Sequence, residues 1–146
     1  MLLLADNLPN PSLRRFQGRE EIFDPCRKKW VALTPEEWVR QQMLTQFIQV
    51  LQVPPSWIAV EKEIVVNNLR KRFDVLVYNG QGDPICLTEC KAPDVPLTTL
   101  VFDQLLRYHQ QVSVPFLMIS NGDQTRCWHK SDGQLIELNH WPALGK

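Results

Sequence analysis

Residues 72–93 read RFDVLVYNGQGDPICLTECKAP. Two apolar runs, Arg72 to Tyr78 and Ile85 to Lys91, flank the cluster Asn79-Gly80-Gln81-Gly82-Asp83-Pro84. Glycine, proline, Asn and Asp at that density reverse the chain, so the runs predict an antiparallel strand pair. Side chains alternate along a strand. Asp74, Leu76 and Tyr78 therefore share one face of the first strand, and Ile85, Leu87, Glu89 and Lys91 share one face of the second. Cys86, Thr88 and Cys90 take the other face, as small core residues rather than ligands. The turn sets Asp74, at the start of one strand, opposite Glu89 and Lys91 at the end of the other.

Burying one such charge alone costs on the order of several kcal/mol. Two carboxylates and an ammonium at one sheet edge are tolerable together when a cation joins the carboxylates. Mg²⁺ takes oxygen ligands, typically one or two carboxylates with water and substrate phosphate. Asp74, Glu89 and the backbone carbonyl of Cys90 offer three such oxygens. Lys91 can orient or help deprotonate a water, or stabilise charge developing on a phosphate.

Outward from this pair, the chain alternates helix and strand signals. Thr34-Pro35-Glu36-Glu37 is a helix start, with an N-cap, a proline at the first helical position and acids at the positive end of the dipole. Val39, Met43, Phe47, Val50 and Leu51 follow at helical spacing as its core stripe, and Pro54-Pro55 ends it. Ile58 to Val66 predicts a strand, with a turn at Asn67-Asn68. Thr98 to Val112 predicts a second helix buried through Val101, Leu105, Tyr108 and Val112. Phe116 to Ser120 is a further strand, and Thr125 to Lys130 with Leu135 to Leu138 is a hairpin about Ser131-Asp132-Gly133. The segment before about residue 30, rich in proline and arginine, reads as an irregular arm with a short strand near Ile22; residues 31–146 read as the folded domain. The order implies an α/β fold, a central mixed sheet flanked by helices. The crossover from strand 85–91 through the helix to strand 116–120 should be parallel and right-handed.

The pattern of Asp74, Glu89 and Lys91 resembles the core of the PD-(D/E)xK nuclease superfamily, with Phe73 where the superfamily usually has proline. Gln104 and Tyr108, in QLLRY, resemble the QxxxY element of RecB-like nucleases, in which both residues hold the site or the DNA. The run FDPCRKKWVALTPEEWVRQ, then EKEI, KRFDVLVY, LTECKAP, FDQLLRY and ISNG, resembles the N-terminal nuclease domain of type I restriction enzyme R subunits over about residues 22–138. That resemblance implies a restriction-endonuclease-like core and Mg²⁺-dependent endonuclease activity on DNA, with Mn²⁺ able to substitute. It also implies an acidic residue from the first helix at the metal site. Angular counting puts Glu36 near the centre of the core-facing stripe with Arg40 one turn on, and Glu37 at its margin, so Glu36 is the expected residue and Glu37 the reserve. A type I R subunit carries a helicase motor after its nuclease, for which 146 residues leave no room. The expectation is a standalone nuclease to which restriction, ATP dependence and assembly partners do not carry over.

The rival class is a silent nucleic-acid-binding or assembly module of the same fold; a third reading is a nuclease that works only with a separate helicase or specificity protein. The full set Asp74, Glu89, Lys91 is what a degenerate member would have lost. A homodimer would fit the need of two cuts for two sites. The alternative readings are a buried polar pair for Gln104 and Tyr108 and a first-turn acid on the dipole for Glu36.

Composition agrees with an ordinary globular domain at 44% hydrophobic and 22% charged residues. Sixteen basic against sixteen acidic residues exclude a strongly basic coat, though not a local phosphate-binding patch. Arg70-Lys71-Arg72 leads straight into the strand of Asp74 and is the expected phosphate-binding border; Arg14-Arg15-Arg19 and Arg27-Lys28-Lys29 read as solvated faces, with Trp30 beside the latter as a ring for base stacking. Cys26, Cys86, Cys90 and Cys127 form no CxxC pair, and Cys127 and His129 lack zinc-site spacing with His109 and His140. Reduced thiols, a leader-free start at MLLLADN and the lack of a run of about 20 apolar residues together give a cytoplasmic expectation.

Overall fold

The computed structural model describes residues 1–66, 68–109 and 112–145, without the side chains of Val66, Tyr108 and His109. The expected turn residue Asn67 and the Tyr108 side chain therefore lie outside the described residues. Asn68 has φ +64°, the left-handed conformation that asparagine tolerates in turns.

The chain opens with three strands where an irregular arm with one short strand near Ile22 is expected; the strand at Ile22 is the second of them. β1 (Leu13–Phe16), β2 (Arg19–Asp24) and β3 (Lys29–Ala32) form an antiparallel meander. Gln17-Gly18 turns β1 into β2, both at positive φ, so the reversal takes two residues. Asp24, fully buried, accepts from the backbone N–H groups of Cys26 and Arg27 at 2.7 and 2.8 Å and so builds the β2–β3 turn. Proline and charge density concealed these strands: β1 is exposed throughout, so it lacks the apolar alternation that marks a strand. Trp30 packs edge-on against Phe23 and under Arg14, so its ring is already engaged within this sheet.

Helix α1 (Pro35–Thr45) starts where the capping signal put it, with the Thr34 hydroxyl accepting from the Glu37 N–H at 3.0 Å. The helix then widens into a π-helical turn over Gln46–Val50. Val39, Met43, Leu44 and Phe47 are fully buried and Leu51 packs against their cluster, but Val50 is 45% exposed and drops out of the expected stripe. Such widening breaks the 3.6-residue period from which the stripe was counted.

The main sheet has six strands in the order β4 (Ile58–Val66), β5 (Leu69–Tyr78), β6 (Pro84–Cys90), β7 (Phe116–Ser120), β8 (Thr125–Ser131) and β9 (Gln134–Leu138). Helix α2 (Thr99–His109) forms the crossover, and β6 and β7 pair in parallel, Cys86 with Phe116 through Cys90 with Ser120. The other pairs are antiparallel, so the sheet is mixed, as expected. Asp132-Gly133 closes the last hairpin with φ of +50° and +77°.

The two helices cover opposite faces. On one, Val39, Met43 and Phe47 pack with Val75, Val77, Cys86, Met118 and Cys127. On the other, Phe102 and Leu105 pack with Phe73, Leu76, Leu87, Ile119 and Trp128. Each such apolar side chain contributes about 1.5–3 kcal/mol on burial, which is ample to fix a sheet between two helices. Among the described residues no helix is long and apolar enough to cross a membrane.

Candidate active site

β5 and β6 are paired from Tyr78 and Pro84 as far as Val75 and Thr88, and there the ladder stops. The next positions are Asp74 and Glu89. β6 turns its last amides elsewhere: Lys91 donates to the Ser120 carbonyl at 2.8 Å, while Cys90 donates to Asp74 Oδ2 at 2.8 Å. A carboxylate thus replaces a backbone acceptor at the point where two neighbouring strands part. The expected meeting of Asp74 with the end of the second strand is what the register produces.

Glu89 lies beside Asp74, close enough for their carboxyls to share a hydrogen bond. Burial, the Asp74 charge and that hydrogen bond push Glu89 up to about 8, against the opposing pull of Lys91 and Arg40. Glu89 and Lys91 open into a cleft of about 330 Å³ with Arg72 and Gln104, over an apolar floor that includes Leu105 and Ile119. Gln104 thus joins the site from α2, as the resemblance to the QxxxY element implied.

The other side of Asp74 is an ionic network. Arg40, from α1, is 7% exposed and reaches Asp74 Oδ1 at 3.5 Å, Glu37 Oε1 at 3.2 Å and Glu61 Oε1 at 3.4 Å. Arg27, from the β2–β3 turn, binds Asp24 at 2.6 Å, Glu37 at 2.6 Å and Glu61 at 3.3 Å. Arg72 binds Glu61 at 2.7 Å. Burial raises the Glu61 carboxyl, but Arg40, Arg72 and Arg27 outweigh it and hold Glu61 below the usual carboxylate range. Gln41 adds a bond to Glu37 at 3.3 Å.

The helix acid is placed differently from the expectation. Glu36 is exposed, and Glu37 is the buried one, turned into the network. The stripe was counted from apolar residues alone, whereas the covered face is wider: Arg40, Gln41 and Leu44 are buried at helical spacing from Glu37 and extend it past that margin. Glu61 and Arg27 were missed. Arg27 was taken for part of a solvated basic cluster. A signal for Glu61 existed: it is an acid inside the apolar run IAVEKEIVV, the same anomaly that drew attention to Asp74. Of the expected basic border, Arg72 lines the cleft, Arg70 is exposed near Glu63, and Lys71 is largely buried.

Cys86 and Cys90 are buried with thiols held well above their usual range by desolvation, Cys86 at about 12, so they are core groups as expected. His129 stacks on Phe116 at 4.8 Å. Among the described residues no group of three or more His, Cys, Asp or Glu is arranged to hold a metal ion. Asp74 and Glu89 make a pair of hard oxygen donors, and one or two carboxylates are what a Mg²⁺ site usually takes from protein, so the donor set fits that ion.

A mixed sheet between two helices, with carboxylates and a lysine where its strands part, defines an α/β domain of the restriction-endonuclease-like type. The profile of the family described as Type I restriction enzyme R protein N terminus (HSDR_N) matches residues 35–142, and the chain belongs to that family. No protein of curated function matches it.

Two predictions test the electrostatics. An acid whose folded value lies near 8 and whose ordinary value is 4.5 holds its proton in the folded chain after the unfolded chain has lost it. Stability associated with Glu89 is therefore full below about pH 4.5 and falls as pH rises through about 8. Glu89→Gln in metal-free buffer should remove that slope and raise the calorimetric midpoint at pH 8.5 by roughly 3 °C or more, with little change at pH 4.5. Urea unfolding separates the helix acids. Glu37→Ala should cost about 3 kcal/mol, since it strands Arg27 and Arg40, whereas Glu36→Ala should stay within about 0.5 kcal/mol.

Proposed function

We propose that the domain hydrolyses phosphodiester bonds in DNA with the help of Mg²⁺, Mn²⁺ being able to substitute. The observation that carries this reading is Glu89, with Asp74 beside it, opening together with Lys91 into a cleft also lined by Arg72 and Gln104. Membership of a type I restriction R-protein family supports the nuclease class.

Asp74, Glu89 and the Cys90 carbonyl would hold the ion. When bound, it supplies a Lewis acid for the phosphoryl oxygen and lowers the pKa of a coordinated water. The chain's own groups do the rest. Lys91 shares the cleft with Glu89, where its ammonium orients the attacking water and stabilises negative charge developing on the phosphate. Arg72, at the cleft wall, provides a guanidinium fork for a neighbouring phosphate oxygen. Gln104 presents an amide that positions the strand or a ligand carboxylate. Leu105 and Ile119 close the cleft floor to water. Arg70 extends the basic border along the DNA backbone, beside Lys71.

The test compares wild type with Lys91→Ala and Asp74→Asn on supercoiled, linear and single-stranded DNA, with Mg²⁺ or Mn²⁺ against EDTA. The expected outcome is metal-dependent cutting by wild type, reduced by about 100-fold or more in either variant. Cutting that survives in EDTA or in both variants would sink the assignment. If purified wild type cuts nothing, calorimetry with Mn²⁺ decides: binding that needs Asp74 keeps the site and calls for a helicase or specificity partner, and no binding removes the metal reading.

A further inference from the structure

We infer that Arg40 is a built-in counter-ion that occupies the electrostatic place of the metal and yields it when the ion enters; this rests on the metal-site reading above. Arg40 touches three carboxylates, each from a different element: Glu37 on its own helix, Glu61 on β4 and Asp74 on β5. Its hold on Asp74 is the loosest of the three, at 3.5 Å. Asp74 has its second oxygen fixed by the Cys90 N–H, so the oxygen left for a cation is the one Arg40 covers.

Two features mark this arrangement as strained. Arg40 Nε is buried with no hydrogen-bond partner, although a buried arginine usually satisfies every donor. Glu61 sits in mid-strand at φ +54°, a conformation that costs a non-glycine residue free energy and persists only where its surroundings enforce it. Glu61 lies across from Asp74, between the pairs Val60–Val75 and Lys62–Phe73. The distorted strand thus carries a second carboxylate to Arg40 beside the one it must release. When a cation takes up the charge of Asp74 and Glu89, Arg40 withdraws to Glu37 and Glu61 without leaving its own charge unpaired. The cost of an uncompensated buried ion is avoided in both states.

A positioning or merely structural arginine and a counter-ion differ in the sign of one measurement. Calorimetry with Mn²⁺ alone on the full chain should show Arg40→Met binding about tenfold more tightly than wild type, because a competing positive charge has gone. Its metal-free midpoint should be lower than that of wild type. Arg40→Lys, which keeps the charge, should stay within about twofold of wild type. Equal or weaker Mn²⁺ binding by a folded Arg40→Met overturns the inference and leaves the metal site standing. Loss of Mn²⁺ binding in wild type itself removes both. If Arg40→Met does not fold, wild-type protein labelled with ¹⁵N-arginine serves instead. Mg²⁺ should shift the Arg40 Nε–H resonance, assigned through Arg40→Lys, and a resonance that stays in place at saturating Mg²⁺ overturns the inference.

Discussion

The structure depends on holding several carboxylates close together without unfolding. Asp24, Glu37, Glu61, Asp74 and Glu89 are joined through shared cations or direct contact, and Arg27, Arg40, Arg72 and Lys91 are the positive groups among them. Like charges at this density repel strongly once water is excluded. The arginines are shared: Arg27 and Arg40 each bind three acids, and Glu61 receives three arginines. Glu89 is only partly compensated: burial and the neighbouring Asp74 raise its carboxyl against the pull of Lys91 and Arg40.

The same constraint explains why the elements meet as they do. α1 must lie on its face of the sheet for Arg40 to reach Asp74, and the cap at Thr34 fixes where that helix begins. The N-terminal meander contributes Arg27 from the turn that Asp24 builds, so a segment outside the main sheet completes the charge balance. From the opposite face α2 brings Gln104 and the apolar floor of the cleft. Asp74 stands at the junction of the two sides. One of its oxygens ends the β5–β6 ladder and the other faces the arginine network.

Parting strands are what make the site available. Where a ladder continues, backbone groups satisfy one another and side chains only decorate the faces. Where it stops, amides need new partners and side chains enter the plane of the sheet. The Cys90 amide takes the Asp74 carboxylate and the Lys91 amide takes a carbonyl of β7, which carries Glu89 and Lys91 away from β5 and opens the cleft. The family match runs from the start of α1 through β9, so Asp74, Glu89 and Lys91 lie inside the shared region, while Asp24 and Arg27 precede it.

Much of this was legible in the residues. The Asn79 to Pro84 turn set the register that brings Asp74 to Glu89, the Thr34-Pro35 signal set the start of α1, and Asp132-Gly133 set the last hairpin, because each is a local backbone preference that packing reinforces. Gln104 was marked by the resemblance of QLLRY to a QxxxY element, and the crossover helix brings it to the strand end. Three things belonged to tertiary structure alone. The meander at Leu13–Ala32 carries little apolar alternation and exists through pairing and turn chemistry. The choice of Glu37 over Glu36 followed from polar partners, Arg27, Arg40 and Gln41, that cover the helix beside its apolar stripe. Glu61 stands out as an acid in an apolar run, but its pairing with Arg27 and Arg40 joins distant segments that meet only in the fold. Charge pairing has no period along the chain, so nothing in the spacing of these residues announces it.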